Sequence, residues 1–431
     1  DNGIDWVAVQ YGHIRANRIH DTDGWCTYVK GGSSYILIES NIVYDCGEGG
    51  VTAGQGTGFE FMSTPWLNFE ANYIKIVNNL IYNIDGAALG VNGGYQILVA
   101  HNTAYHVGER SHLLEVVFGE RSCDGDLASC AAQRSLGGWG STTTDSVQPI
   151  GNNEVNIFNN IFYNPTGFTS GSQHFAIYGP RVPTVSGIPS PQVSDENLRI
   201  KGNIIWNGSP SFTIGIEDTD QGCQSGNASC NQTQLLSDNL INTTEPDFVN
   251  AAFFDLRPLA GGALEMLSSS TIPDFVAIDS GLTNIPEGVR DATLFREFSN
   301  AAASSRPPGA FVNSSSSLTF PSSDGVISTP SNGTNNQAPS LTGVTLSAKR
   351  KGKKVTVKIS SIITDNDQIS LATASISAKT TILKRVTLNL GNDKYVGTSK
   401  VKTSVKKLKV MIRATDSFGS TTSVQKSVKI K

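Results

Sequence analysis

The stretch IKIVNNLIYN, residues 74–83, decides the fold of this chain. It alternates apolar and other residues, reaches an asparagine, and ends on two apolar residues, an aromatic and a second asparagine. The same phrase recurs as HIRANRIHD (13–21), ILIESNIVYD (36–45), ILVAHNTAYH (97–106), VNIFNNIFYN (155–164) and LRIKGNIIWN (198–207). It fades in QLLSDNLINT (234–243). The first asparagines are Asn17, Asn41, Asn79, Asn102, Asn160, Asn203 and Asn239. Consecutive ones lie 24 residues apart at 17 to 41 and 23 at 79 to 102, with gaps of 36 to 58 elsewhere. Such self-similarity predicts a solenoid whose regular coils carry loop insertions. The alternating apolar residues feed a common core. The asparagine column turns the chain between sheets, and its amides satisfy buried backbone groups in the bend. His20, Tyr44, Tyr82, Tyr105, Tyr163 and Trp206, three positions further on, predict an aromatic stack.

Composition agrees. The 431 residues are 16% charged, with 43 glycines, and hardly any stretch shows a helical apolar period, so the reading is all-β. No apolar run is long enough to span a bilayer. No signal peptide opens the sequence, so an exported chain would carry it upstream of Asp1. The six cysteines fall into pairs, Cys26/Cys46, Cys123/Cys130 and Cys223/Cys230. Local pairs without a CxxC knuckle point to disulfides and an oxidising compartment rather than to zinc. Six Asn-x-Ser/Thr sequons, at Asn207, Asn227, Asn231, Asn242, Asn313 and Asn332, fit export.

The repeat resembles the pectin-lyase-like right-handed parallel β-helix superfamily over residues 1–262. The tail EPDFVNAAFFDLRPLAGG (245–262) with IPDFVAIDSGL (272–282) resembles the closing segment of bacterial β-helix repeat proteins. CGEGGVTAGQGTGFEFM (46–62) and the stretch 92–126 are closer still to an uncharacterised group within the superfamily. Residues 263–300 are expected to cap the helix, and the Ser/Pro/Asn-rich 301–338 reads as a linker. Residues 339–431 alternate as an antiparallel β-sandwich similar to bacterial immunoglobulin-like modules. That module holds 19 basic and 4 acidic residues, net +15, which leaves net −19 for the rest. Such a basic module could hold an anionic polymer or the acidic body of another copy, or simply protect sheet edges. Nucleic acid fits less well, because aromatic residues hardly interleave with the lysines.

In the superfamily, ligands lie along the sheet that precedes the first turn of each coil. The matching strands here would be 25–32, 50–56, 87–94, 113–120, 174–180 and 212–218. Alternation then turns Asn92 and Glu115 outward and lines up Lys30, Gln55, Asn92 and Glu115. Insertions bordering that row carry Glu60, Trp66 and Glu70, and Arg110, His112, Arg121 and Trp139. Tryptophans beside charged groups suit sugar rings. The expected catalytic set is Lys30, Glu60, Arg110, His112 and Glu115, with Gln55, Trp66, Glu70, Asn92, Arg121 and Trp139 holding substrate. A lyase would neutralise a uronate with Arg110, Arg121 or Lys30 and take its C5 proton with His112 or Lys30. A hydrolase would draw two carboxylates from Glu60, Glu70 and Glu115. The Gly-His-Gly and paired-Asp signatures of polygalacturonases are absent, and Arg199-Ile200-Lys201 is part of a repeat strand. No cofactor or metal is expected, although Asp124/Asp126 or Glu217/Asp218/Asp220 could take calcium.

The expected function is therefore an extracellular, carbohydrate-directed protein, a polysaccharide-degrading enzyme slightly ahead of two alternatives. One is a filament-forming surface protein: no capping helix precedes the first coil, so coils of different copies could stack head to tail. The other is a glycan-binding adhesin without turnover. The expected partners are a polysaccharide or surface glycan and further copies of the chain.

Overall fold

A computed structural model describes residues 1–139, 142–144, 146–178, 195–217, 231–273, 297–299, 306–318, 340–364, 369–378, 381–391, 394–416 and 421–431. It is all-β, in two compact units, residues 1–324 and 325–431.

The first unit is a β-helix-like solenoid of three parallel sheets that the chain visits in turn, with a short separate sheet formed by its insertions. Sheet 1 begins with Ile4–Val7, Trp25–Lys30, Gly49–Gly54, Ala87–Asn92, Leu114–Val117 and Phe175–Tyr178. Sheet 2 runs from Gln10–Arg15 through Ser33–Glu39, Ala71–Val77 and Gly94–Ala100 to Asn152–Phe158 and beyond. Sheet 3 contains the asparagine-led strands, from Arg18–Thr22 to Leu240–Ile241. One residue in two points inward, so Ile36, Ile74, Ile97 and Val155 share a register column in the core. The same holds for Val43, Ile81, Ala104 and Phe162 on sheet 3.

The asparagines form one continuous ladder. Each Oδ1 accepts from the backbone N–H and the side-chain amide of the asparagine one coil back, at 2.9–3.0 Å, from Asn17 through Asn239. The residue before several of these asparagines is left-handed: Ala16, Ser40, Asn78, His101 and Asn159 have φ of 54–57°, and Gly202 has 70°. A left-handed residue reverses the chain in one step, and Asn tolerates it better than most side chains, which explains the Asn-Asn doublets at 78–79 and 159–160. A shorter ladder links Asn164, Asn207 and Asn242 at the next corner. The aromatic stack on sheet 3 runs His20–Tyr44–Tyr82 at 4.6 and 4.9 Å between ring centres. Phe254, from the closing segment, then inserts between Tyr82 and Tyr105.

His174 packs against the shorter ladder, its ring nitrogens 3.1 and 3.4 Å from the amides of Asn207 and Asn242. Burial pushes its pKa down to about 4. The unfolded chain then binds the extra proton first as pH falls from about 6.5. Stability is complete above that pH and is lost on the way down to 4, by about 3 kcal/mol. Urea midpoints measured across this window should fall, and a His174→Gln variant should flatten the curve. Equal slopes in both proteins would exclude His174 as the source.

Cys26–Cys46 and Cys123–Cys130 are disulfides. Cys223 and Cys230 lie outside the described residues. The segment expected to be a linker, 301–338, is described only at 306–318, and there it lies on the solenoid. Gly309 donates to the carbonyl of Asn159, Ala310 donates to Thr103 Oγ1, and Arg306, Ala310 and Phe311 are buried. The covering of the coils thus continues past residue 300. His101, beneath it, is held well below the ordinary histidine range, first by burial and then by Arg306.

The second unit contains two four-stranded antiparallel sheets. One orders Ser340–Lys351, Lys354–Thr364, Lys394–Lys402 and Asn389–Gly391, the other Thr381–Thr387, Ile369–Ala378, Lys407–Asp416 and Thr421–Lys429. Val355, Val357, Ile359, Ala374, Val410 and Ile412 build their shared core.

Candidate functional site on sheet 1

The outward residues of sheet 1 form rows across the coils. Asp5 pairs in register with Tyr28, Tyr28 with Thr52, Thr52 with Gly90, and Gly90 with Glu115. Two positions along each strand, Lys30 and Asn92 belong to the next outward row. Leu89, Val91, Leu114 and Val116 face the core, as the alternation predicts.

The expected row of Lys30, Gln55, Asn92 and Glu115 is therefore not a single row. Glu115 stands opposite Gly90, and Gln55 follows the end of strand Gly49–Gly54. The side chains nonetheless reach across the offset. Asn92 Nδ2 donates to Glu115 Oε1 at 3.2 Å, and Lys30 Nζ donates to Gln55 Oε1 at 2.9 Å. Lys30 also lies 4.8 Å from the centre of the Tyr28 ring, and the Tyr28 hydroxyl donates to Asp5. Burial, reinforced by Asp5, raises the Tyr28 pKa well above the usual phenol value.

His112 completes the central group. Its Nε2 lies 3.4 Å from Glu115 Oε2, and its Nδ1 lies 2.8 Å from Ser111 Oγ. The histidine and glutamate side chains are 15% and 19% exposed, enough to meet solvent while each stays oriented. Gly90 makes room for them: a Cβ there would stand 2.8 Å from Glu115 Oε1 and 2.9 Å from Thr52 Oγ1. Chemically, Asn92–Glu115–His112 is an imidazole held by a carboxylate that is itself fixed by an amide, the arrangement of an oriented proton acceptor.

The other expected residues are committed elsewhere. Glu70 and Arg121 are wholly buried and paired, with Arg121 Nη2 at 2.5 Å and Nε at 3.0 Å from Glu70 Oε1. Arg121 also donates to the carbonyls of Leu67 and Trp139, and Glu70 Oε2 accepts from Thr57 and Gly31. Neither can touch a polymer, so their assignment to substrate is corrected: they pin the two insertions to the coil. Glu60 accepts the backbone N–H groups of Asp124 and Asp126, which ties it to the 123–130 turn. Trp66 packs edge-on to Tyr35 and Tyr73 over sheet 2, and Trp139 edge-on to Phe69. Arg110 is 56% exposed and pairs with Glu48 at 3.3 Å at the turn into sheet 1.

Asp126 caps the helix Leu127–Ser135 by accepting from Ser129, which lowers its pKa, and Asp124 accepts from Ser122. Among the described residues the metal-like grouping is Glu60 with Cys123 and Cys130, whose sulfurs are spent on their disulfide. Asp218 and Asp220 lie outside the described residues, as does the Glu217 side chain. Sequence reasoning missed Asp5, Tyr28, Thr52 and Gly90, although all share the outward parity of Glu115 on strands it had identified.

No protein-family model matches the chain, and no curated protein does. Among solved structures, an engineered protein aligns with 22% of this chain at 14% identity and a TM-score of 0.17. The aligned part spans about a fifth of that chain, and a likeness so small carries no argument here.

Proposed function

We propose that this is an extracellular enzyme that cleaves an acidic polysaccharide on the outer face of sheet 1 by elimination. The observation that carries the reading is the Asn92–Glu115–His112 chain of contacts on the outward surface of sheet 1. In the reaction, Lys30, three strands away along the same face and held towards Gln55, binds the carboxylate of another sugar of the chain and so helps to seat a uronate with its C5 proton at His112. His112 takes that proton, the electron pair forms the C4–C5 double bond, and the C4–O bond breaks, its oxygen taking a proton from solvent. Elimination is favoured over hydrolysis because Glu60 and Glu70 are already spent on backbone and Arg121, which leaves Glu115 without a partner from the expected set.

The repeat phrase and its asparagine ladder support a right-handed coil of the pectin-lyase-like kind, and the second unit's two antiparallel sheets support an immunoglobulin-like module. Two disulfides support export.

The test is incubation of the full chain with a panel of acidic and neutral polysaccharides. Unsaturated products that absorb in the ultraviolet are expected from an acidic polymer, and His112→Ala should cut the rate by about 100-fold or more with the circular dichroism unchanged. New reducing ends without that absorbance would replace elimination by hydrolysis. Binding without turnover would make the protein an adhesin, and fibres without either would make it structural.

A further inference from the structure

The strands Ser340–Lys351, Lys354–Thr364 and Lys394–Lys402 are neighbours in one sheet. Their registers place Lys351 opposite Lys354 and Lys354 opposite Lys402. The next outward row holds Lys349, Thr356 and Lys400, and the one after it Ser347, Lys358 and Thr398. Val355, Val357, Ile359 and Val401 fill the core, so these lysines point away from it, and all six are exposed. Among the described residues none of the six has an ion-pair partner, and the four strands of the sheet contain no Asp or Glu.

Like charges placed directly across strands weaken a sheet. Protection against edge pairing is the usual reason to accept lysines on a sheet, and it acts on edge strands. Lys354 and Lys358 are on an interior strand, flanked on both sides, where edge protection has no role. A bound polyanion removes the repulsion and turns it into attraction. The geometry suits a linear one: cations recur about every 4.8 Å across strands and about every 7 Å along them.

We infer that this lysine face is a second, non-catalytic binding site for a linear acidic polysaccharide. Nucleic acid is the weaker fit, since no aromatic side chain stands in these outward rows to stack a base and no arginine supplies a fork for phosphate. The site also answers an electrostatic difficulty. Residues 1–338 carry net −19 and repel a polyuronate, whereas a tethered module at net +15 raises its local concentration. The inference does not depend on sheet 1 being catalytic.

The experiment is affinity electrophoresis of the full chain in gels containing polygalacturonate, alginate or neutral dextran, repeated over a salt series. The wild-type chain should be retarded by the acidic polymers only, and less so as salt rises. A Lys351→Gln/Lys354→Gln/Lys402→Gln variant should bind about tenfold more weakly, on the scale of three exposed ion pairs. Its melting temperature should hold or rise, because the row of like charges is gone. Unchanged retention in the variant would overturn the inference, as would retention by dextran or no retention at all. Tighter binding of single-stranded DNA than of polyuronate at equal charge would hand the face to nucleic acid. A low-salt dimer abolished by the same variant would hand it to the acidic body of another copy. His112→Ala should leave retention unaltered, so failure of the enzymatic reading and failure of this one are told apart.

Discussion

Asn102→Ala is expected to destabilise the solenoid by about 5 kcal/mol, among the largest effects available to a single substitution in it. Asn102 is fully buried in the middle of the ladder. Its Oδ1 accepts from the backbone N–H and the amide of Asn79, both at 2.9 Å. Its Nδ2 donates to Asn160 Oδ1 and to the carbonyls of Ile76 and Ala100. Alanine removes all five contacts at a fully buried position. A buried polar group left unpaired costs about 1–3 kcal/mol, and here the Asn79 N–H loses its acceptor while the Ile76 and Ala100 carbonyls each lose a donor, Ala100 keeping the Asn78 N–H. Neighbouring rungs polarise one another, so the loss spreads along the column. Asn17→Ala provides the internal comparison. Its amide is only half-buried and reaches one carbonyl and one further amide, so about 1 kcal/mol is expected. Equilibrium urea unfolding followed by tryptophan fluorescence measures both, with an unchanged denaturant slope showing that only stability moved. If Asn102→Ala cost no more than Asn17→Ala, the ladder would be decoration on a coil held by its apolar core alone.

That ladder was legible in the sequence because its register is enforced at every coil. A residue that must meet its own kind one turn earlier repeats in the text whatever the loop between them does. The strands of sheet 1 were legible for the same reason, since Leu89, Val91, Leu114 and Val116 can feed the core in one parity only. The site was less legible, and the reason is local. Gly49–Gly54 ends before Gln55, so a row drawn by counting outward residues slips there, and Glu115 falls opposite Gly90 instead of Asn92. Gly90 carries no side chain to announce itself, yet it decides how closely Glu115 and Thr52 approach. Insertions were harder still. Glu70 and Arg121 look like exposed charges in a polar loop, and only the three-dimensional path that brings residues 56–70 beside 119–122 reveals them as an interior pair.

Arg121→Met is the second large effect, about 4 kcal/mol. The guanidinium is wholly buried and makes two contacts to Glu70 and one each to the carbonyls of Leu67 and Trp139. Methionine fills much of the same volume, so the loss is electrostatic rather than a cavity. A carboxylate remains in the interior with only Thr57 and Gly31 as donors. Removing one partner of a buried pair costs about 3–5 kcal/mol, whereas replacing both with apolar residues often costs far less. The Glu70→Leu/Arg121→Met double variant should therefore be less damaged than the sum of the two single variants, by about 2 kcal/mol in a double-mutant cycle. The damage should also be local. Arg121 holds Leu67 and Trp139, the flanks of two insertions that also meet the coil through the short sheet Gly56–Gly58, Gly119–Ser122 and Gln148–Ile150 and through Trp66 against Tyr35 and Tyr73. Limited proteolysis should cut Arg121→Met first within 123–139, while the ladder coils resist. Additive single variants, or cleavage that begins in the coils, would mean the pair contributes little and the insertions are held by their aromatic contacts.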